Sequence, residues 1–403
     1  MILFPTLPRL VMDSFRKLSN RIAAVQTPVI PQIAALIREH PHCISLGQGV
    51  AWYGPPPEAQ AALHGFFAEP AHHRYGPVDG IPDLKAVIAQ KLSTENGCHG
   101  ESAGRIIVTA GANMGFLNAV LAIADPGDEI ILPSPYYFNQ EMAVRIAGCR
   151  PVLVPTDDDY GLRLDLLRAA IGERTRAIVT VSPNNPTGAI YPEAVLRAVN
   201  ALCAEYGLYH ISDEAYEYFL FDDARHFSPL AIPDAEEHTI ALYSLSKAYG
   251  FASWRIGYMV IPAHLHQAIA KIQDTNLICP PLVSQHAAVG ALAAGARYCQ
   301  NKLAVTRRVR EGVFAALGQI GDLCVFPRTR GAFYVLLRVT TRLDSLTVAE
   351  RLIREYGVAV IPGLAFGCTD ACALRVAYGA LDETTATEGM RRLTRGLRAI
   401  CRN

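Results

Sequence analysis

The 403-residue sequence contains no uninterrupted apolar run of the roughly 18 residues that a membrane-spanning helix requires, although apolar residues make up 51% of it. A protein threaded through a bilayer by helices is therefore excluded, and the chain is expected to bury its apolar residues in a large core. Net charge is missing as well: 37 Lys and Arg balance 37 Asp and Glu. No overall positive field draws the chain to nucleic acid or to an anionic membrane, so neither is an expected partner. Its ten cysteines include no Cys-x-x-Cys and no paired histidine spacing, and even Cys368 and Cys372 have no histidine nearby, so no metal site is expected. Scattered thiols of this kind fit a reducing, cytoplasmic compartment. Internal repeats and low-complexity linkers are absent too, which argues against a solenoid. Met1 to Arg9 has two prolines and no cleavage pattern, and reads as an ordinary arm.

What the sequence does hold is an alternation of strand-like and helix-like segments from Arg105 to Ile261. That is the pattern of a largely parallel α/β sheet with helices on both faces and ligand sites at strand ends. Within it, Tyr243 to Tyr258 reads Tyr-Ser-Leu-Ser-Lys-Ala-Tyr-Gly-Phe-Ala-Ser-Trp-Arg-Ile-Gly-Tyr. The β-favouring run His238 to Leu245 predicts a buried strand, which sets Lys247 at a strand end. Most lysines are solvated charges. A buried amine, however, is pushed towards its neutral, nucleophilic form and can form a Schiff base with an aldehyde. Ser244, Ser246 and Arg255 lie close by and offer hydroxyls and a guanidinium suited to a phosphate. An aldehyde that carries a phosphate suggests pyridoxal phosphate.

Other segments point to the same chemistry. Arg105 to Leu121 joins a strand to a helix through small residues, so the amides of Gly111, Ala112 and Asn113 would lie at a helix N-terminus, where free donors favour an anion. Asp213 ends the strand-like Leu208-Tyr-His-Ile-Ser. A carboxylate near a basic ring nitrogen would keep that nitrogen protonated and make the ring an electron sink. In Ser-Pro-Asn-Asn-Pro-Thr-Gly, Asn185 fits both an Asx turn before Pro186 and a ligand contact. Glycines 47, 49 and 54 make a loop whose backbone can approach a ligand. Farther on, Gly331 to Val339 reads as a strand and Thr347 to Tyr356 as a helix, while Met390, Leu393, Leu397 and Ile400 give the last segment one apolar face.

Ser-x-Ser-Lys with an arginine eight residues after the lysine resembles the cofactor-lysine segment of class I aminotransferases, pyridoxal-phosphate enzymes of fold type I. Further matches run from about Ile44 to about Tyr378. The resemblance implies a mostly parallel central sheet flanked by helices, with a smaller α+β domain. Residues 1–52 would be an arm and part of the small domain, 53–281 the large cofactor-binding domain, and 282–403 a connecting helix with the rest of the small domain. It further implies that Lys247 holds the cofactor, that Asp213 and Tyr216 serve the ring nitrogen and ring oxygen, and that Tyr137 stacks on the pyridine. Asn185 would bond the ring oxygen and the substrate carboxylate, Gly49 and Arg375 would hold that carboxylate, and Gly111, Ala112, Asn113, Ser244, Ser246 and Arg255 would hold the phosphate.

Tyr75 is similar to the family tyrosine that reaches a partner's phosphate, so the resemblance implies a homodimer with shared sites. Val50-Ala51-Trp52-Tyr53 departs from the family's usual Phe/Glu-Pro-Asp-Phe. Asn113 stands where aspartate-type bacterial enzymes commonly carry a lysine that helps recognise an acidic side chain. An amide there, with Trp52, Tyr53 and Tyr137 near the substrate, predicts aromatic amino acids or methionine as donors and 2-oxoglutarate or another 2-oxo acid as acceptor. A carbon–sulfur β-lyase or related synthase on the same scaffold would begin with the same carbanion. A ligand-sensing module is disfavoured by the balanced charge.

Overall fold

The computed structural model describes residues 18–26, 29–98 and 105–401; the expected arm, Met1 to Arg9, lies outside them. Helix α1 (Val29–Glu39) stops ahead of Pro41 and leads to β1 (Ile44–Ser45). Helices α2 (Pro57–Ala68) and α3 (Pro82–Glu95) each begin with proline, whose missing N–H is no loss in a first turn. The alternation then follows as β2 (Ile106–Thr109), α4 (Ala112–Ile123), β3 (Glu129–Ser134), α5 (Phe138–Ile146), β4 (Arg150–Pro155), α6 (Leu164–Ala169), β5 (Thr175–Val181), α7 (Glu193–Tyr206) and β6 (Tyr209–Asp213). After β7 (Thr239–Ser244) come the single turn α8 (Leu245–Ala248), β8 (Gly257–Val260) and α9 (His266–Asn276). Leu245 opens α8 rather than ending the strand, because the Ser244 side chain caps that turn.

Seven strands form one sheet in the order β2-β8-β7-β6-β5-β3-β4. Strands β4, β3, β5, β6 and β7 are parallel, and β8 runs antiparallel to both its neighbours. A sheet covered on both faces needs near-continuous apolar strands. Ile130, Val179, Ile211 and Leu242 accordingly pack with Phe116 and Val144 on one face, while Ile131 and Ile178 pack with Leu167, Val199 and Leu202 on the other. The parallel strands all end at one rim. Strand β8, running back, begins there, since Gly257 pairs with Ser244. Ligand chemistry in such sheets gathers at that rim.

Helix α10 (Leu282–Gly318) leads out to β9 (Cys324–Val325), β10 (Tyr334–Val339), α11 (Ser345–Tyr356), β11 (Val358–Ala359), β12 (Ile361–Pro362), β13 (Cys372–Ala377) and α12 (Glu383–Cys401). Strands β12-β13-β10-β9 form an antiparallel sheet. β1 pairs in parallel with β11, which ties the early segment to the C-terminal elements. Met390, Leu393, Leu397 and Ile400 are the buried face of α12. Helix α10 is broken once, at Gly295, whose φ of 65° and ψ of −172° suit glycine alone. Before the break, Gly290 lies directly on the backbone of Glu58 in α2; after it, Arg308 pairs with Glu383 at the start of α12. Among the described residues no helix is long and apolar enough to cross a membrane.

Candidate active site

The turn α8 aims Lys247 into a cavity at the sheet rim. Its Nζ donates to the Gly49 carbonyl at 2.5 Å. Burial above all, then the charges of Arg375 and Arg255, lower the amine to about 8, with Asp213 opposing. A sizeable neutral fraction near physiological pH follows.

At one end of this cavity α4 begins. Gly111 precedes it with φ 84°, and a Cβ there would collide with the Arg255 guanidinium. Gly257 is just as constrained, since its Cβ would lie 2.6 Å from the Tyr243 carbonyl and 3.0 Å from the Ala112 amide. Arg255, itself left-handed at φ 52°, donates through Nη1 to Ser246 Oγ at 3.4 Å and to the Ala252 carbonyl at 2.9 Å. A helix N-terminus, a guanidinium and the Ser246 hydroxyl thus converge on one spot suited to a phosphate.

At the other end sits Asp213, buried where β6 stops. Oδ2 accepts from Gln140 Nε2 at 2.8 Å and Oδ1 from the Ala215 amide at 3.2 Å. Burial raises its carboxyl to about 6, against the Ala215 hydrogen bond and with help from the charge of Glu214. Neither of these hydrogen bonds brings a cation, so the site suits a protonated ring nitrogen. Tyr216 Oη lies 2.8 Å from Tyr334 Oη and accepts from Asn185 Nδ2 at 3.4 Å. Burial keeps both phenols protonated, Tyr216 far above its ordinary range and Tyr334 at about 12. The Tyr137 phenol, also raised by burial, bonds the amides of Asn113 and Asn139.

Arg375 sits on β13, buried, opposite Leu336 in register. Its Nη1 donates to Asn185 Oδ1 and its Nη2 to the Gly47 carbonyl, both at 2.8 Å. The rings of Tyr334 and Phe366 lie 4.5 and 4.8 Å from the guanidinium carbon. A guanidinium has five N–H groups, and its remaining donors can take a carboxylate. The Asx turn suggested for Asn185 belongs to its neighbour: Asn184 Oδ1 accepts from the amide and the hydroxyl of Thr187. Asn185 is left free to face the cavity.

Lys247, Asp213, Tyr216, Asn185, Tyr137, Asn113, Ala112, Ser244, Ser246 and Arg255 line this cavity. Gly49 and Arg375 line an adjoining space of about 440 Å³ that shares Lys247, Tyr137, Asn185 and Tyr216 with it. Tyr75 is 82% exposed and borders an outer groove beside Phe67 and Cys279 instead. The expectation for Trp52 and Tyr53 fails. After Val50 the loop leaves the cavity: Trp52 packs on Tyr53 and Tyr53 on Tyr298, around Lys302 on the side of α10. Apolar surface comes instead from Ile30, Ile33 and Ile37 of α1, with Phe138 and Ile361. Two partners escaped sequence reasoning. Gln140 has no motif around it, and Tyr334 lies in a segment that reads only as a strand. Glu214 and Glu217 belong to buried networks: Glu214 accepts from Ser212 and Ser228 and meets His226 Nε2 at 2.8 Å, and Glu217 pairs with Lys91 at 2.5 Å.

Pyridoxal phosphate needs an uncharged amine, an anion cradle and a buried carboxylate within one cavity, and this rim holds all three, so fold and site together define an enzyme that uses that cofactor. The chain belongs to the aminotransferase class I and II family, whose description matches residues 41–393, and it is a transaminase. The aromatic aminotransferase ISS1 of Arabidopsis thaliana is 32% identical over 96% of this chain and 98% of its own. The aspartate/prephenate aminotransferase of Thermus thermophilus is 35% identical over 91% and 96%. Among solved structures, Thermus thermophilus aspartate aminotransferase with maleate superposes with a TM-score of 0.88 at 33% identity, covering 94% of this chain and all of that one. The aromatic aminotransferase of Pyrococcus horikoshii gives 0.84 at 31%, over 91% and 99%.

Proposed function

We propose that this transaminase takes amino acids with apolar side chains, aromatic ones and methionine foremost, and that it works in the cytoplasm as a homodimer with shared sites. The observation that carries the substrate reading is the cavity wall of Ile30, Ile33, Ile37, Phe138 and Ile361. A substrate whose carboxylate lies on Arg375 can turn its side chain to that wall, where each buried methylene gains about 0.8 kcal/mol. Relatives named for aromatic amino acids lend support, beside others named for aspartate and prephenate. For the dimer, the support is the exposed pair Tyr75 and Phe67 on an apolar groove with Pro280, Pro281 and Leu282.

In this reading 53–281 is the large domain, with the small domain built from segments on either side. Gly111, Ala112, Asn113, Ser244, Ser246 and Arg255 hold the phosphate, with Tyr75 of the second copy. Bound pyridoxal phosphate supplies an aldehyde that condenses with amines and a ring that accepts the electron pair of the substrate's Cα–H bond. Arg375, steadied by Asn185 and the Gly47 carbonyl, orients the substrate carboxylate, and Gly49 contacts it through the backbone. Lys247 Nζ would take the proton from the substrate Cα and carry it to the carbon that was the cofactor's aldehyde, the transfer that transamination requires. Asp213 keeps a negative oxygen towards the ring nitrogen, and Tyr216 donates to the ring oxygen. A screen of amino donors against several 2-oxo acids tests the substrate assignment. We expect phenylalanine, tyrosine, tryptophan or methionine to give the highest kcat/KM; aspartate above all four would overturn it.

A further inference from the structure

Building on that reading of the cavity, we propose that Lys302 is a positioning residue: caged by Trp52, Tyr53 and Tyr298, it clamps the loop 47–54 so that the Gly47 and Gly49 carbonyls stay seated on Arg375 and Lys247. The near end of the loop makes the two contacts that matter, Gly47 to Arg375 Nη2 at 2.8 Å and Gly49 to Lys247 Nζ at 2.5 Å. Both acceptors belong to glycines, whose backbones have the most freedom to lose. Locally they are held by little more than the Gly47 amide's bond to Ser45 Oγ at 3.3 Å and close packing on Ile361 and Tyr334. No proline falls between Gly47 and Gly54 to stiffen the chain from within, so further stiffness has to come from outside the loop.

The far end supplies it. Lys302 Nζ stands 5.3 Å from the Trp52 ring centre, 5.7 Å from Tyr53 and 5.3 Å from Tyr298. The rings meet edge to face, Trp52 on Tyr53 at 5.4 Å and 83°, Tyr53 on Tyr298 at 5.9 Å and 80°. A cation gathered by three rings is attracted to each without the strict geometry of an ion pair. Tyr298 and Lys302 are four residues apart on α10 and therefore share one of its faces. Hydrogen bonds complete the clamp: Tyr298 Oη donates to the Gly54 carbonyl at 2.6 Å, and Tyr53 Oη donates to the carbonyl of Ala248, next to Lys247, at 3.0 Å. A Cβ on Gly250 would lie 2.5 Å from the carbonyl carbon of Gly54, so loop and lysine turn touch backbone to backbone. Loop, turn and α10 are thus one assembly, with Lys302 at the centre of its ring cluster.

The test uses the loaded enzyme with Lys302→Met, which keeps the stem and removes the charge. We expect kcat/KM to fall about tenfold, by the same factor for phenylalanine, methionine and alanine, because the loop acts on the carboxylate and amine ends that all donors share. Amide exchange should quicken in residues 47–54, in cofactor-free and loaded protein alike, and Lys302→Arg should restore both measures. Trp52→Leu should lose as much as Lys302→Met, and the double variant no more than either alone. Unchanged exchange in 47–54, additive losses, a donor-dependent loss or a uniform rise in exchange across the protein would each overturn the proposal. If Lys302→Met does not fold, Trp52→Leu at its partly exposed position carries the same test. Exchange that responds in an enzyme preferring aspartate would refute the donor assignment and leave the clamp standing.

Discussion

Lys247 and Asp213 are moved in opposite directions by one cause, the removal of water from a charge. Asp213 is raised to about 6, so the folded chain holds its proton more tightly than the unfolded chain does. Its contribution to stability is complete below about pH 4 and is lost as pH rises through about 6. In cofactor-free protein at pH 8 the buried charge then costs about 3 kcal/mol. We expect cofactor-free Asp213→Asn to resist urea better than wild type at pH 8 and to match it at pH 4, while the loaded variant loses turnover by orders of magnitude. Greater fragility at pH 8 would mean that the chain itself supplies Asp213 with a cation. Lys247 is lowered to about 8, so its stabilising neutral form is lost as pH falls through that value. Reductive trapping of an aldehyde on the cofactor-free enzyme should rise with a midpoint near pH 8, and a midpoint above 10 would show a solvated amine. Both residues were legible in the sequence because each sits in a short motif at a strand's end, Asp213 as its last residue and Lys247 in the turn just after it. Gln140 and Tyr334 were not, because their roles exist only once α5 and β10 are brought against Asp213 and Tyr216.

At the scale of elements, α1 shows what a periodic pattern conveys and what it withholds. Its helical character is plain from Ala34, Ala35, Leu36 and Ile37 before Pro41, yet nothing local says that Ile30, Ile33 and Ile37, at i, i+3 and i+7, form a substrate wall. Replacing Ile33, which is 1% exposed, by alanine should lower kcat/KM for phenylalanine and methionine roughly tenfold and leave that for alanine within about threefold. The lost packing should also reduce stability by about 2 to 5 kcal/mol, read from the melting curve. Equal losses for all three donors would place the side-chain pocket elsewhere. The loop after β1 carries the same lesson. Its glycines announced a close approach to a ligand, but the outward turn after Val50 depends on Tyr298 and Lys302, almost 250 residues later.

For the whole molecule, the order of strands and helices was readable because sheet and helix periodicities alternate cleanly from Arg105 to Ile261. The antiparallel insertion of β8 was hidden, since a short apolar strand reads alike in either direction. Assembly is the remaining claim at this scale. Mixed dimers of Lys247→Ala and Tyr75→Phe subunits should recover activity that neither parent shows, provided both defects are large, and verified heterodimers without recovery would count against shared sites. The break in α10 bears on any attempt to engineer the protein. No atom lies within 4 Å of a Cβ placed at Gly295, so a survey of crowding would mark it as a harmless site for alanine. Such a change usually gains about 0.5 to 1 kcal/mol in a helix. Here the obstacle is torsional rather than steric, and alanine would favour a straight rod that carries Tyr298 and Lys302 away from the loop they hold. The position most inviting to a thermostabilising programme is therefore one that should be left out of it.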